Sequence, residues 1–219
     1  MAAPVYYTVY NNTFWLSSQR CIYWEQEGTL IVSDLHLGKT GHFRKAGIAV
    51  PQAVYKEDLQ RLFSEIQFYK PKKLIVVGDL FHSRENKEME LFVKWRNDVS
   101  YLDFILVKGN HDILKKEWYN AANITVVEQQ LCVHQFIFTH DANAVNCTGI
   151  DTPYIFSGHI HPGVVIKTGN KQTHTFPCYH FNKEGAILPA FSKFTGVYIT
   201  PKQPEDAVFA IINQSVIRV

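Results

Sequence analysis

Leu30-Ile31-Val32-Ser33-Asp34-Leu35-His36-Leu37-Gly38-Lys39 is an apolar run that ends abruptly in a carboxylate, then an imidazole two residues on, then a glycine. An apolar run of this length between turn residues reads as a buried strand, and α/β sheets place ligands at the carboxyl ends of their strands. A period-two zigzag puts Asp34 and His36 on the same side, so that both reach one ion. Taken alone, an Asp-x-His reads as a strand cap beside a solvated imidazole. It does not stand alone.

The same event recurs along the chain. Leu74-Ile75-Val76-Val77-Gly78-Asp79 is a second apolar run ending in Gly-Asp, and Leu80-Phe81-His82 follows it. Phe104 to Val107 leads into Lys108-Gly109-Asn110-His111-Asp112, and Phe136-Ile137-Phe138-Thr139 into His140-Asp141. Tyr154-Ile155-Phe156-Ser157 leads into Gly158-His159-Ile160-His161-Pro162. Each run delivers Asp, Asn or His at its carboxyl end, which collects oxygen and nitrogen ligands suited to divalent metal.

At 219 residues, the chain reads as a single domain, 1–219, long enough to bury a substantial core. A hydrophobic content of 46% with 19% charged residues excludes a disordered chain. A net charge of +2 permits nucleic acid as a partner without arguing for it, because a strong footprint needs clustered Lys and Arg. The four cysteines, at 21, 132, 147 and 178, form no Cys-x-x-Cys pair and read as reduced, buried or half-buried thiols. Met1 to Asn12 has neither a basic start nor a continuous apolar core, so no signal peptide is expected. No apolar run approaches the roughly 20 residues that span a bilayer, and the expected compartment is the cytoplasm.

Strands are predicted over Val5–Tyr10, Thr13–Leu16, Cys21–Glu25 and Thr29–Ser33, with turns at Ser17-Ser18-Gln19 and Gln26-Glu27-Gly28. Lys39 to Ala49 is a glycine-punctuated loop carrying Lys39, His42, Arg44 and Lys45. It is either a solvated connector or a contact to a phosphate backbone. Pro51 opens a helix whose apolar face is Val54, Leu59, Leu62, Phe63 and Ile66, and Pro71 ends it. Ser83 is the expected N-cap of a second helix with Met89, Phe92, Val93 and Trp95 inward, and a third, shorter helix is expected between Asp112 and Ala121. The β-α-β-α-β order up to residue 110 predicts parallel strands joined by right-handed crossovers. From Ile124 the chain turns β-rich, with strands expected over 124–128, 131–139, 154–157, 163–168, 173–179, 197–200 and 207–219. Helices early and strands late predict two sheets face to face with helices outside.

The ordered set Asp-x-His, Gly-Asp, Gly-Asn-His-Asp, a lone His after a strand and Gly-His-x-His resembles the calcineurin-like metallophosphoesterases. It spans Asp34 to His161. Within them, Ser33 to Lys39, Gly78 to Ser83 and Leu188-Pro189-Ala190-Phe191-Ser192-Lys193-Phe194-Thr195-Gly196 are similar to the ligase-associated DNA damage response endonucleases of the PdeM type, short relatives of the SbcD nucleases. The resemblance implies an α/β fold, a four-layer α/β/β/α sandwich of two mixed sheets. It also implies a two-metal phosphodiesterase, in which a metal-bound hydroxide attacks the phosphodiester. Two ions roughly 3.5–4 Å apart clamp a phosphoryl group and generate such a hydroxide at neutral pH. Carried over by motif, Asp79 bridges the ions, Asp34, His36 and His161 complete the first, and Asn110, His140 and His159 complete the second. Manganese is the expected metal, with iron, nickel and zinc as alternatives; no Cys ligand biases the site toward structural zinc.

His111 is then the imidazole beside the metals that donates to the scissile phosphate or the leaving oxygen. His82 stands three residues after the bridging Asp, where many relatives carry an aspartate. It has either a catalytic role that favours nucleic acid or the role of a packed imidazole beneath the ligands. His140-Asp141 departs from the common His-Gly, and Pro162 is expected to stiffen the ligand loop. Leu188 to Gly196 reads mostly as packing beneath the site and secondarily as a substrate wall. The implied substrate is DNA, single-stranded or flapped, cut in repair, with Lys39, Arg44 and Lys45 as substrate contacts and a DNA ligase, a helicase and an exonuclease as functional neighbours. The alternatives are a phosphoesterase for a nucleotide, another small phosphoester or a pyrophosphate, and a protein-interaction scaffold. No membrane partner is expected.

Overall fold

A computed structural model describes residues 5–38, 53–82, 87–146, 148–167 and 172–219. Lys39, His42, Arg44, Lys45, Pro51, Ser83 and Cys147 lie outside the described residues.

Two sheets form the frame. In the first, β1 (Val5–Val9), β2 (Asn12–Leu16), β3 (Ile22–Trp24) and β4 (Thr29–Ser33) run as an antiparallel meander. β4, β5 (Lys73–Val77), β6 (Asp103–Val107) and β7 (Thr125–Val127) are then parallel, as the alternating helices and strands predict. The second sheet runs β14-β11-β12-β13-β10-β9-β8, from β8 (Gln130–Val133), β9 (Phe136–Thr139), β10 (Tyr154–Ser157), β11 (Pro162–Lys167), β12 (Thr173–Phe181), β13 (Gly185–Ile187) and β14 (Tyr198–Ile199). β15 (Ala207–Ile212) pairs with β12 and with β16 (Ser215–Arg218). Both sheets mix parallel and antiparallel pairs.

Side-chain alternation along β4 and β5 sorts the core into two layers. Leu30, Val32, Leu74 and Val76 face the helices, whereas Ile31, Ile75 and Val77 face the second sheet's Phe136, Phe138, Phe156, Tyr179 and Phe181. Burying each such side chain is worth about 1.5–3 kcal/mol, so the aromatic layer between the sheets contributes heavily to the fold. The helices α1 (Ala53–Tyr69), α2 (Lys87–Asp98) and α3 (Lys116–Ala121) all pack on the outer face of the first sheet, through Leu59, Leu62, Ile66, Met89, Phe92 and Tyr119. α1 ends where Lys70 turns left-handed (φ 49°) just before Pro71.

Several expectations need correcting. Phe63 on α1 is 38% exposed, because the inward face of that helix is shared with the buried polar residues Asp58 and Glu65. The run 131–139 is two strands, since His134 takes a left-handed conformation (φ 53°) and folds it into a hairpin. The run 207–219 is likewise a hairpin, turned at Asn213 (φ 54°). β13 is an element the sequence reading did not separate from its surroundings. Cys21 and Cys178 are buried free thiols, but Cys132 is exposed, because it lies on β8 at the end of the second sheet.

Candidate metal centre

In-register parallel pairing puts Ser33, Val77 and Val107 side by side at the ends of β4, β5 and β6. Thr139 and Ser157 are level at the ends of β9 and β10. The chain therefore releases Asp34, Asp79, Asn110, His140 and His159 at one edge of the sandwich. The two sheets meet there by close approach. Gly78 has φ 77°, and a Cβ on it would overlap the His140 ring; a Cβ on Gly158 would strike Ser33 and Asp34. Glycine at these two positions lets the second sheet's imidazoles reach the first sheet's carboxylates.

Asp34 and His36 do converge, but not by a strand zigzag. β4 stops at Ser33, and both residues are left-handed, at φ 52° and 47°. Asp79, His159 and His161 share that conformation, at φ 52°, 67° and 53°. Non-glycine residues held there each cost on the order of 1–3 kcal/mol, a strain typical of functional sites. Asp34 is held by the Ser33 hydroxyl and by the backbone N–H of His159, 3.1 Å from Oδ2.

Two groups of ligand atoms fit a metal ion. One is Asp34, His36 and His161, the other Asp34, Asp79 and His140, the atoms of each lying within 4.8 Å of one another. Asp34 belongs to both. His161 Nε2 is 3.3 Å from Asp34 Oδ1 and 3.4 Å from His36 Nε2. His140 Nε2 is 3.4 Å from Asp79 Oδ2, 3.0 Å from Asn110 Oδ1 and 3.2 Å from His159 Nδ1. Imidazole nitrogens facing one another across a carboxylate, three of the four on strained backbone, are a donor set that a divalent cation satisfies. The residues present fit a pair of ions.

Without metal, the electrostatics are those of a tight ion pair. Burial alone would raise the Asp79 carboxyl. The hydrogen bond and charge of His140, the His111 N–H and the His36 charge outweigh it and hold Asp79 at about 2. Burial would likewise lower His140, but Asp79 and Asp34 lift it to about 9. Asp112 is pushed up to about 7 by burial, against two backbone N–H donors. Those donors are Phe81 (3.1 Å to Oδ1) and Gly109 (2.9 Å to Oδ2), so Asp112 ties the loop after β5 to the loop after β6. Its place in Gly-Asn-His-Asp was visible in the sequence; its bracing task was not.

His111 and His82 lie together beside these groups, ring centroids 4.5 Å apart. His111 Nε2 is 4.0 Å from Asp79 Oδ2 and its side chain is 41% exposed, whereas His82 is half-buried, 5.4 Å from the His36 ring. Asp141 accepts from the backbone and side chain of Asn143 and caps the short 3-10 turn Ala142–Ala144, so it shapes the loop after His140. Pro162 is buried and opens β11, which fixes the segment after His161. A cleft of about 310 Å³, bordered by Lys108, Glu128, Thr139 and Asp141, opens beside Asn110, His140 and His159.

Beneath Asp34 lies a polar cluster that sequence reasoning missed. Half-buried Arg61 bonds Asp58 (2.7 Å), the Gln19 carbonyl (2.9 Å) and the Phe191 carbonyl, and Arg20 bonds the carbonyls of Ala190 and Ser192. Phe191 N–H and Ser192 N–H in turn donate to Ser33 and Asp34 (2.7 and 3.2 Å). The available signal was Asp58, Arg61 and Glu65 recurring at helical spacing beside the apolar face.

The family model for calcineurin-like phosphoesterases matches residues 29–137. Among solved structures, a nuclease from Pseudomonas putida, MPE, aligns at a TM-score of 0.80 with 23% identity over 99% of this chain and 100% of that one. The phosphoesterase Yfce of E. coli aligns at 0.45 with 15% identity over 87% and 97%, and the Aquifex aeolicus protein AQ665 at 0.44 with 15% identity over 61% and 78%. No curated protein sequence matches the chain. Two mixed sheets ending in buried Asp and His clusters, together with the family match from β4 into β9, make the chain similar to the calcineurin-like metallophosphoesterases over about half its length.

Proposed function

We propose that the protein is a phosphodiesterase that uses two divalent ions, manganese first, to cut single-stranded or flapped DNA in repair. The observation that carries the reading is the His82–His111 pair beside Asp79, with ring centroids 4.5 Å apart, where many relatives place an aspartate at the first position. The full-length fold match to a nuclease supports it. Asp34, His36 and His161 would hold one ion, Asn110, His140 and His159 the other, and Asp79 both. Bound there, the ions supply Lewis-acid polarisation of the phosphoryl oxygens and charge neutralisation.

The chain's own residues do the rest. His111, half-exposed at the mouth of the site, donates a hydrogen bond or proton from Nε2 to the scissile phosphate or the departing oxygen. His82 packs against its ring and sets its orientation. The His111 backbone N–H, 2.9 Å from Asp79 Oδ1, keeps that carboxylate turned toward the imidazoles. Substrate contacts by Lys39, Arg44 and Lys45, a cytoplasmic location, and work beside a DNA ligase, a helicase and an exonuclease belong to the same proposal.

A second reading, hydrolysis of a nucleotide or another small phosphoester, is favoured by one feature. The cleft beside Asn110 is sized for a single nucleoside and carries the Glu128 and Asp141 carboxylates, which do not invite a second phosphate. A substrate panel with Mn²⁺ decides between them: labelled single-stranded and flapped DNA, nucleotides, and bis-p-nitrophenyl phosphate. The proposal expects DNA cleavage to exceed nucleotide hydrolysis. A preference for a nucleotide over every DNA would replace the nuclease with the small-substrate enzyme.

A further inference from the structure

Residues 191–198 touch the first half of the metal centre at both ends. Ser192 N–H donates to the Asp34 carbonyl at 3.2 Å, Phe191 N–H to Ser33 at 2.7 Å, and Tyr198 N–H to the His161 carbonyl at 2.9 Å. The segment is thus an arch standing directly on two metal-ligand candidates. Its feet are fixed: Arg61 and Arg20 grip the carbonyls from 190 to 192, and β14 pairs in parallel with Pro162 and Gly163. Its span faces solvent, where Lys193, Phe194 (36% exposed), Val197 (37%) and Tyr198 (64%) follow one another. Exposed aromatic and aliphatic residues gathered on an anchored rim, with Ile199 (54%) beside Tyr198, mark a contact surface more than a packing layer.

We propose that this arch is the polynucleotide-binding wall of the site. Lys193 would contact a phosphate flanking the scissile one, and Tyr198, with Phe194, would stack unpaired bases. The occupant follows from charge and continuity. On the opposite side of the centre, Lys108 is already paired with Glu128 at 3.0 Å, and Asp141 adds a second carboxylate. The arch, by contrast, offers a lysine with no ion pair among the described residues and two aromatic rings. A cation beside aromatic rings is the combination that holds single strands without reading their sequence, because every base has a face to stack. A duplex hides those faces, so the wall fits a single strand. The inference rests on the nuclease reading and adds the side from which the strand enters.

The test compares steady-state kinetics on a single-stranded oligonucleotide and on bis-p-nitrophenyl phosphate in Mn²⁺, using the full chain and thermal unfolding as a folding control. Tyr198→Ala is expected to raise the KM for the oligonucleotide roughly tenfold more than that for the diester, the scale of one lost base stack. Tyr198→Trp should restore it, and Lys193→Ala should lower the log–log salt slope of oligonucleotide binding by about 0.7. If wild type cleaves the oligonucleotide but Tyr198→Ala and Phe194→Ala shift both substrates equally or neither, the wall is overturned and the nuclease reading stands. If wild type hydrolyses the diester and no polynucleotide, both fall.

Discussion

The two halves of the metal centre differ in depth. Asp34 and His36, in the first, are 0% and 5% exposed, and the backbone around them is anchored by the 191–198 arch. His161 completes the first half and is half-buried; in the second, His140 and the shared Asp79 are buried, whereas Asn110 and His159 are exposed and border the cleft. A buried carboxylate and imidazole without a cation carry a desolvation cost that exposed ones do not. The first ion is therefore expected to bind tightly and the second to exchange. Depth here teaches division of labour: a fixed ion on a braced floor, and a second that substrate can help to hold.

Asp79 is the proposed bridge between the halves, and removing its charge should have the largest effect. Its Oδ2 is 3.4 Å from His140, 3.9 Å from His36 and 4.0 Å from His111. Asp79→Asn is expected to drop turnover below detection and metal content from two ions to one or none, with the fold retained by circular dichroism. Two ions and near-normal activity in that variant would move the bridge to Asp34, which also faces both donor groups.

Next in size is His111. His111→Ala should slow hydrolysis about 10²- to 10⁴-fold with metal content unchanged, the range of a positioned acid. His82→Ala should cost less, and lose more on DNA than on a p-nitrophenyl diester. Equal losses with good and poor leaving groups in His111→Ala would make that imidazole a charge stabiliser rather than an acid.

Proton competition sharpens the contrast between the halves. In the metal-free protein, His140 is lifted to about 9, above its ordinary 6.5, so its contribution to stability is complete below about 6.5 and is lost as pH rises through 9. Asp79, held at about 2, contributes above about 3.9 and loses that as pH falls through 2. The pair therefore stabilises the apo fold most between about 4 and 6.5. A metal entering the second half must displace the His140 proton. Its affinity should weaken by roughly tenfold per pH unit lowered below 9, with one proton released per ion, readable by Mn²⁺ titration in weak buffer. A second ion whose affinity is flat between pH 6.5 and 8.5 would place His140 outside its ligands.

Much of this was legible in the chain because strand ends announce themselves. Thr29–Ser33 and Tyr154–Ser157 are bounded as predicted, since an apolar run stopped by a polar residue or glycine leaves little choice of register. The ligand motifs converge because parallel strands finish level. What stayed hidden depends on single φ angles or on distant partners. His134 and Asn213 turn the chain with no glycine or proline to mark it. The left-handed Asp34 and His36 replace the zigzag that spacing alone implied. Arg20 and Arg61 meet residues 190–192 from about 130 to 170 positions away, a contact that local pattern cannot contain.

The smallest expected effect bears most directly on which side of the centre faces the substrate. Glu128 is 72% exposed and pairs with Lys108, itself 32% exposed, at 3.0 Å. Such a pair is worth about 0–1 kcal/mol, so Glu128→Gln should barely change the melting temperature. It does remove a negative charge from the rim of the cleft and frees a cation. Across roughly one Debye length, 8–10 Å at moderate salt, that change reaches a bound strand only if the strand passes near the cleft. With DNA on the arch, oligonucleotide binding at that moderate salt should tighten by no more than about twofold, and Lys193→Ala should weaken it by more. A gain from Glu128→Gln as large as the loss from Lys193→Ala would mean that the strand crosses both flanks, and the two halves would then share the substrate equally.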